Sequence, residues 1–329
     1  MSLLKHAPQF EPESAIRIAG EFYDLKCSAT SLPSERDQNF LLTTPDNDKF
    51  VLKIANALEE RLLLDAQNAV MNHLGARVEF CPRLILTRSG QPVVEVASTE
   101  SVHLVRLITY INGEPLAQAI QSSDLLFDLG AKLGQLSRAL EGFERPAFRR
   151  EFHWDLANGP NIVDKYVNLL TPDLRRVIAG FKDTFIEAVG SRLHKLPRWV
   201  IHGDANDYNV IVDNGKVVGL IDLGDMVWSY RVGELAIALA YVVLGKADPL
   251  SSAKAVVDGY LSECELHEDE LAVLWWLMLM RLAMSVCLAA HQQKENPQND
   301  YLDISQQAIR SSLPGLLALC NALPQRSPR

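Results

Sequence analysis

The stretch His202-Gly203-Asp204-Ala205-Asn206-Asp207-Tyr208-Asn209, an apolar hairpin behind it, and Ile221-Asp222 at the hairpin's far end constrain this chain more than any other feature. Asn209 to Val212 alternates into a strand, Asp213-Asn214-Gly215 is a turn signal, and Lys216 to Ile221 reads as the returning strand. An antiparallel pair sets the beginning of its first strand beside the end of its second. Asn209 and Asp222 therefore converge on one spot, with Asp204 on the loop leading in. Two oxygen ligands side by side suit Mg²⁺, which takes one or two protein ligands together with phosphate oxygens and water. A carboxylate nearby can orient a hydroxyl and take its proton. Spacing, hairpin and second Asp agree on metal-assisted phosphoryl transfer.

A chain of 329 residues can hold one large or two ordinary domains, each with a real core. Apolar residues make up 48% and charged residues 22%, an ordinary globular balance. The net charge of −9 and a pI near 5.4 argue against a nucleic-acid or anionic-membrane surface. Cys27, Cys81, Cys264, Cys287 and Cys320 are odd in number and form no CxxC pair. That pattern fits a reducing compartment without a zinc site or disulfide framework, and Met1 to Glu13 has no signal-peptide core. A cytoplasmic location is expected. Leu271 to Ala290 is apolar and long enough to span a bilayer, but Arg281 sits at its middle, where a charge costs ~2.5–3.5 kcal/mol. It reads as a buried core helix.

The first third is strand-rich: Tyr23 to Thr30, Gln38 to Thr44 and Lys49 to Ala55 carry alternating or β-branched residues. Leu58 to Leu74 reads as a helix ended by Gly75, and Arg83 to Leu86, Pro92 to Val96 and Val102 to Ile108 restore strands. From Asn112-Gly113-Glu114-Pro115 the character turns helical, beginning with Ser123 to Leu140. The expected fold is α+β and two-lobed, with residues 1–111 as a nucleotide-binding lobe and 112–329 as a helical lobe for catalysis and substrate, Asn112-Gly113 being the hinge.

Other residues extend the chemistry. Four residues separate Asp204 from Asn209, as in the kinase catalytic loop, with His-Gly-Asp for His-Arg-Asp. Lys53 lies inside the apolar strand Phe50-Val51-Leu52-Lys53-Ile54, so it either holds nucleotide phosphates or points from an edge strand to solvent. Asp65, Glu60 and Glu59 on the following helix are candidate partners for it. The loop Ser31 to Asn39 has no glycine, yet Ser34 and Arg36 could reach phosphate oxygens; a solvated polar turn is the alternative. Asp225 could join the metal site, face the acceptor or cap a turn. Glu234 suits a helix N-terminus and a bond to catalytic-loop backbone. Arg231 could bind a substrate carboxylate or lie on the surface. Trp154-Asp155 offers an aromatic face and an anion for an ammonium group, or else a buried Trp with a helix-capping Asp.

Together these residues resemble the aminoglycoside phosphotransferase / choline kinase superfamily, which has the protein-kinase-like fold, over nearly the whole chain. Three segments are similar to its hydroxylysine-kinase-like branch: Leu32 to Phe40, Ile201 to Val210, and Ile221 to Met226 with Glu234 to Tyr241; Phe152-His153-Trp154-Asp155-Leu156 fits too. The resemblance implies that Asp204 is the base, that Asn209 and Asp222 hold Mg²⁺, and that Lys53 holds the phosphates of ATP or GTP. It implies further that the backbone of Thr109, Tyr110 and Ile111 meets the purine, and that Asp65 stands where the helix acid is usually Glu. Leu223 replaces the usual Phe after the metal Asp. The expected acceptor is a small amine-bearing hydroxyl compound, 5-hydroxylysine first, with choline, ethanolamine, homoserine or an aminoglycoside as alternatives. A homodimer is left open. The rival of another class is a non-catalytic nucleotide-binding module, against which the intact set Lys53, Asp204, Asn209 and Asp222 argues.

Overall fold

Period-two alternation builds the first of the two units, Met1–Asn112 and Gly113–Arg329, into which the chain divides. The structure is a computed structural model and describes residues 7–34, 36–98, 101–295 and 306–322. In the first unit, α1 (Pro12–Tyr23) precedes β1 (Ser28–Leu32), β2 (Gln38–Thr43) and β3 (Lys49–Ile54). Then come α2 (Arg61–Gly75), β4 (Leu84–Ile85), β5 (Val94–Ala97) and β6 (Val102–Thr109). The sheet is antiparallel, in the order β1-β2-β3-β6-β4, with β5 also paired to β6.

One face of that sheet is oily. Phe40, Leu42, Leu52, Ile54, Val105 and Leu107 pack on Ala15, Ile18, Ala19 and Tyr23 of α1. Burying each large apolar side chain contributes roughly 1.5–3 kcal/mol. The register sets Asn39, Lys53 and Arg106 in a row on the other face. Arg106 donates there to Asn68 Oδ1 (2.9 Å) and Gln67 Oε1 (2.6 Å) of α2. The sequence reading began a strand at Tyr23, but the structure puts Tyr23 in the last turn of α1. Pro12 opens that helix, and Ala15, Ile18 and Ala19 recur at helical spacing.

The second unit begins with β7 (Glu114–Pro115), α3 (Ser123–Leu140), α4 (Gly159–Tyr166) and α5 (Pro172–Leu193). It continues through β8 (Arg198–Ile201), β9 (Val210–Asp213), β10 (Lys216–Leu220) and β11 (Val227–Tyr230). The helices α6 (Gly233–Val242), α7 (Pro249–Glu263), α8 (Glu268–Glu295) and α9 (Gln306–Ala322) complete it. Asn214 and Gly215, with φ of 48° and 71°, make the two-residue β9-β10 turn, whose twist needs positive φ at both. Asp128 of α3 accepts from Val217 N (2.8 Å) where β10 bulges, bracing the hairpin. The 28-residue α8 is long and apolar enough to cross a membrane, but 83% of its most apolar window is buried inside the protein. It is the core helix, packed by α4, α5, α6 and α9.

Candidate active site

β8 and β11 pair antiparallel with Ile201 opposite Val227, so the loop leaving β8 and the turn entering β11 start side by side. Gly203 (φ 81°) passes so close to that turn that a Cβ would stand 2.7 Å from Asp225 O, which excludes any other residue. His202 is fully buried and works as a staple. Its Nδ1 accepts from Asp204 N (3.2 Å), so Nε2 carries the hydrogen it donates to Ile221 O (3.0 Å). Its own backbone N donates to Glu234 Oε2 (2.6 Å). Burial raises the Glu234 carboxyl above the usual range, against the pull of His202.

Asp204 is held at both oxygens. Oδ2 accepts from Asn206 Nδ2 (2.9 Å) and Asn209 Nδ2 (2.8 Å), and Oδ1 accepts from Arg281 Nη2 (2.6 Å). Arg281, 1% exposed in the middle of α8, also lies over Trp154 at 4.3 Å. Asp204, whose side chain is 18% exposed, has its carboxyl pushed up to about 6. Desolvation is the main cause, opposed by Arg281 and reinforced by the charges of Asp225 and Asp222.

The hairpin delivers the second carboxylate. Ile221 N donates to Asn209 O (2.9 Å), so Asn209 and Asp222 meet at the open end of β9-β10. Asp222 is exposed, adopts φ 64°, and caps its own turn through Gly224 N (3.3 Å). Arg150 Nη2 fixes the rest of that turn by donating to Gly224 O (2.9 Å) and Met226 O (3.1 Å). Asn209 spends its amide nitrogen on Asp204, which leaves its oxygen to pair with the Asp222 carboxylate as a hard two-oxygen donor set. That set fits Mg²⁺. Among the described residues no group of three or more His, Cys, Asp or Glu is arranged to hold a metal, so these two would do so only with phosphate oxygens.

In the first unit, Lys53 is 9% exposed on β3, between Asn39 and Arg106 in the register. Ser34 is exposed in the β1–β2 loop. Asn56 clamps that loop: its backbone N donates to Asp37 Oδ1 (3.0 Å) and its Nδ2 to Arg36 O (3.2 Å). Thr109 N donates to Arg83 O (2.9 Å) and Tyr110 N to Lys49 O (3.3 Å). Of the three expected purine contacts, only Ile111 N–H has no backbone partner among the described residues.

Residues 28–274 match the model of the phosphotransferase enzyme family (APH). The chain belongs to that family. This phosphotransferase is 31% identical over 328 residues to the hydroxylysine kinase of Mus musculus, covering 91% of the chain and 87% of the relative. It is 29% identical over 333 residues to that of Xenopus laevis, covering 92% and 89%. Among solved structures it is similar to a microcompartment-associated aminopropanol kinase at a TM-score of 0.72 and 16% identity, covering 94% and 96%. A complex of the amicoumacin kinase hAmiN with AMP-PNP, Ca²⁺ and Ami aligns at 0.71 and 16% identity, covering 93% and 94%. The kinase-like α+β fold and the kinase activity expected from the sequence both stand.

The structure gives three of the expected site residues partners within the fold. Arg231 of the phosphotransferase neither meets solvent nor waits for a carboxylate. It is buried in a two-point ion pair with Glu270, through Nε–Oε1 at 2.7 Å and Nη2–Oε2. Asp155 accepts from Ala157 N (2.9 Å) and Ser229 Oγ, so it caps the turn at Leu156–Asn158. Asp65 is 46% exposed and pairs with Arg61 one helical turn earlier (3.2 Å), because the buried face of α2 carries Leu63, Leu64, Gln67 and Val70 instead. Sequence reasoning also missed two residues that matter. Arg281 announced itself as a charge inside an apolar helix, which needs a buried partner; Arg150 gave no comparable signal.

Proposed function

We propose that this chain is a Mg²⁺-dependent kinase that transfers the γ-phosphoryl group of ATP or GTP to the hydroxyl of a small amino alcohol or hydroxy amino acid, with 5-hydroxylysine the first acceptor. The observation that carries the reading is the meeting of Asp204, Asn209 and Asp222 at one end of the β9-β10 hairpin. The acceptor rests on four relatives named hydroxylysine kinase, 28–31% identical over most of the chain.

Asp204 is the base. As the acceptor oxygen bonds to the γ-phosphorus and the bond to the β–γ bridging oxygen breaks, the hydroxyl proton passes to its carboxylate and the nucleoside diphosphate leaves. Asn209 and Asp222 would hold the metal, which supplies charge neutralisation on the phosphate oxygens. Lys53 holds the phosphates, with Ser34 and Arg36 reaching in from the β1–β2 loop, and Ile111 N–H meets the purine. Trp154 and Asp225 remain the candidates for the acceptor side. The five scattered cysteines, odd in number and without a CxxC pair, support a cytoplasmic setting.

The test is nucleoside diphosphate release over a panel of 5-hydroxylysine, choline, ethanolamine, homoserine and an aminoglycoside, with ATP and GTP in parallel. Release that depends on 5-hydroxylysine and Mg²⁺ is expected. Preference for another member of the panel reassigns the acceptor, and release with none removes the reading.

A further inference from the structure

Arg281 is the one charge in the apolar middle of α8, and its surroundings fix it from three directions. Its guanidinium lies 4.3 Å from the Trp154 ring and 5.9 Å from that of Tyr241. Nη1 approaches Trp154 O and Nε approaches Tyr241 OH, both at 3.4 Å, and Nη2 donates to Asp204 Oδ1 at 2.6 Å. The 150–156 segment, α6 and the loop at 202–209 therefore all meet on one planar fork. Such a fork is always charged and presents its donors rigidly.

An ionised carboxylate offers about four lone-pair sites, two on each oxygen. At Asp204, Oδ2 receives both Asn206 and Asn209, which fills it. Oδ1 receives Arg281 alone among the described residues, so one site on Oδ1 is left. The two asparagine amides share one oxygen and by themselves would let the carboxylate turn about it. Arg281 supplies the second point that stops the turning.

We propose that Arg281 is a positioning residue which aims Asp204, so that the acceptor hydroxyl donates to the remaining site on Oδ1. The inference rests on Asp204 being the base. At 1% exposure, Arg281 acts on the acceptor through Asp204 and not by touching it. Trp154 belongs to the same device, because its ring and its carbonyl both seat the guanidinium.

The test is a double-mutant cycle on kcat. Arg281→Lys keeps a positive charge beside Asp204 but loses the fork. It should lower kcat about 10²-fold, as misplacement of a reacting group by an ångström does. The nucleotide KM should stay within about two-fold, since the loss falls on the transition state and not on ground-state binding. Made in the Asp204→Asn background, the same substitution should cause no further fall, because its effect runs through the carboxylate. Arg281→Gln with Asp204→Asn removes both charges together. It should match Asp204→Asn alone, which gives the same answer if the lysine variant does not fold. Equal falls in both backgrounds, or wild-type kcat in Arg281→Lys, would overturn the inference and leave the base assignment standing. Wild-type turnover in Asp204→Asn would instead overturn the base assignment and this inference with it.

Discussion

Asp204 and Asp155 are both largely buried carboxylates on irregular backbone of the second unit, and burial pushes both carboxyls above the usual range. Their partners divide them. Asp155 gives its Oδ1 to a backbone N–H and a serine hydroxyl, so that oxygen closes the local structure. Asp204 takes side-chain donors from the loop and from α8, keeps one site open on Oδ1, and faces Asp222 and Asp225. A raised carboxyl marks either a scaffold or a site, and the type and number of its donors tell which. In the 150–156 segment Asp155 caps the local turn, Arg150 grips the Asp222 turn and Trp154 seats Arg281.

Four substitutions sharpen that division. Asp222→Ala should have the largest effect, a fall in turnover of roughly 10³-fold or more, since a metal contributes several kcal/mol at a transferring phosphoryl group. Calorimetry should show weakened Mg²⁺-nucleotide binding in the same variant; tight Mg²⁺-dependent binding would put the metal elsewhere. Next, Arg231→Ala should destabilise the fold by about 3–5 kcal/mol, as breaking a buried ion pair does. Its KM for an amino-acid acceptor and for the decarboxylated analogue should change in step. A loss confined to the amino acid would return Arg231 to the acceptor site.

Asp155→Ala should cost about 0.5–2 kcal/mol of stability, the range for a lost cap, and leave the acceptor KM unchanged. A raised acceptor KM at an unchanged melting temperature would make Asp155 a substrate ligand after all. Asp65→Asn should be the mildest, about 0.3–0.5 kcal/mol for an exposed pair one helical turn apart, with unaltered kcat. A large fall in kcat there would mean that α2 turns Asp65 toward Lys53 during turnover.

The loop at 202–209 and its hairpin were legible because their geometry is local: a fixed spacing, a two-residue turn and a strand pair bring Asn209 beside Asp222. The central strands were legible too, since Phe40, Leu42, Leu52 and Ile54 fall at the two-residue spacing that puts them on one face. What lay hidden depended on distant pairings. Arg231 meets Glu270 across 39 residues, Arg281 meets Asp204 across 77, and Arg150 meets Gly224 across 74. No periodicity encodes such partners. For Arg281 the cost of an unpaired charge in an apolar helix demanded a carboxylate, without saying which. Asp65 misled for another reason: position along α2 put it near Lys53, but helical phase turned it to solvent and to Arg61.

Turnover can be limited by product release, so the chemistry of Asp204 is tested most directly by a single-turnover measurement of phosphoryl transfer at saturating Mg²⁺-nucleotide and acceptor. Wild type, Asp204→Asn and Asp155→Asn would be compared side by side, each with its melting temperature. The expected result is a rate lowered roughly 10²–10⁴-fold in Asp204→Asn, the loss of a general base, with nucleotide affinity preserved. Asp155→Asn should transfer at the wild-type rate and melt earlier. A wild-type transfer rate in Asp204→Asn would contradict the assignment of the base.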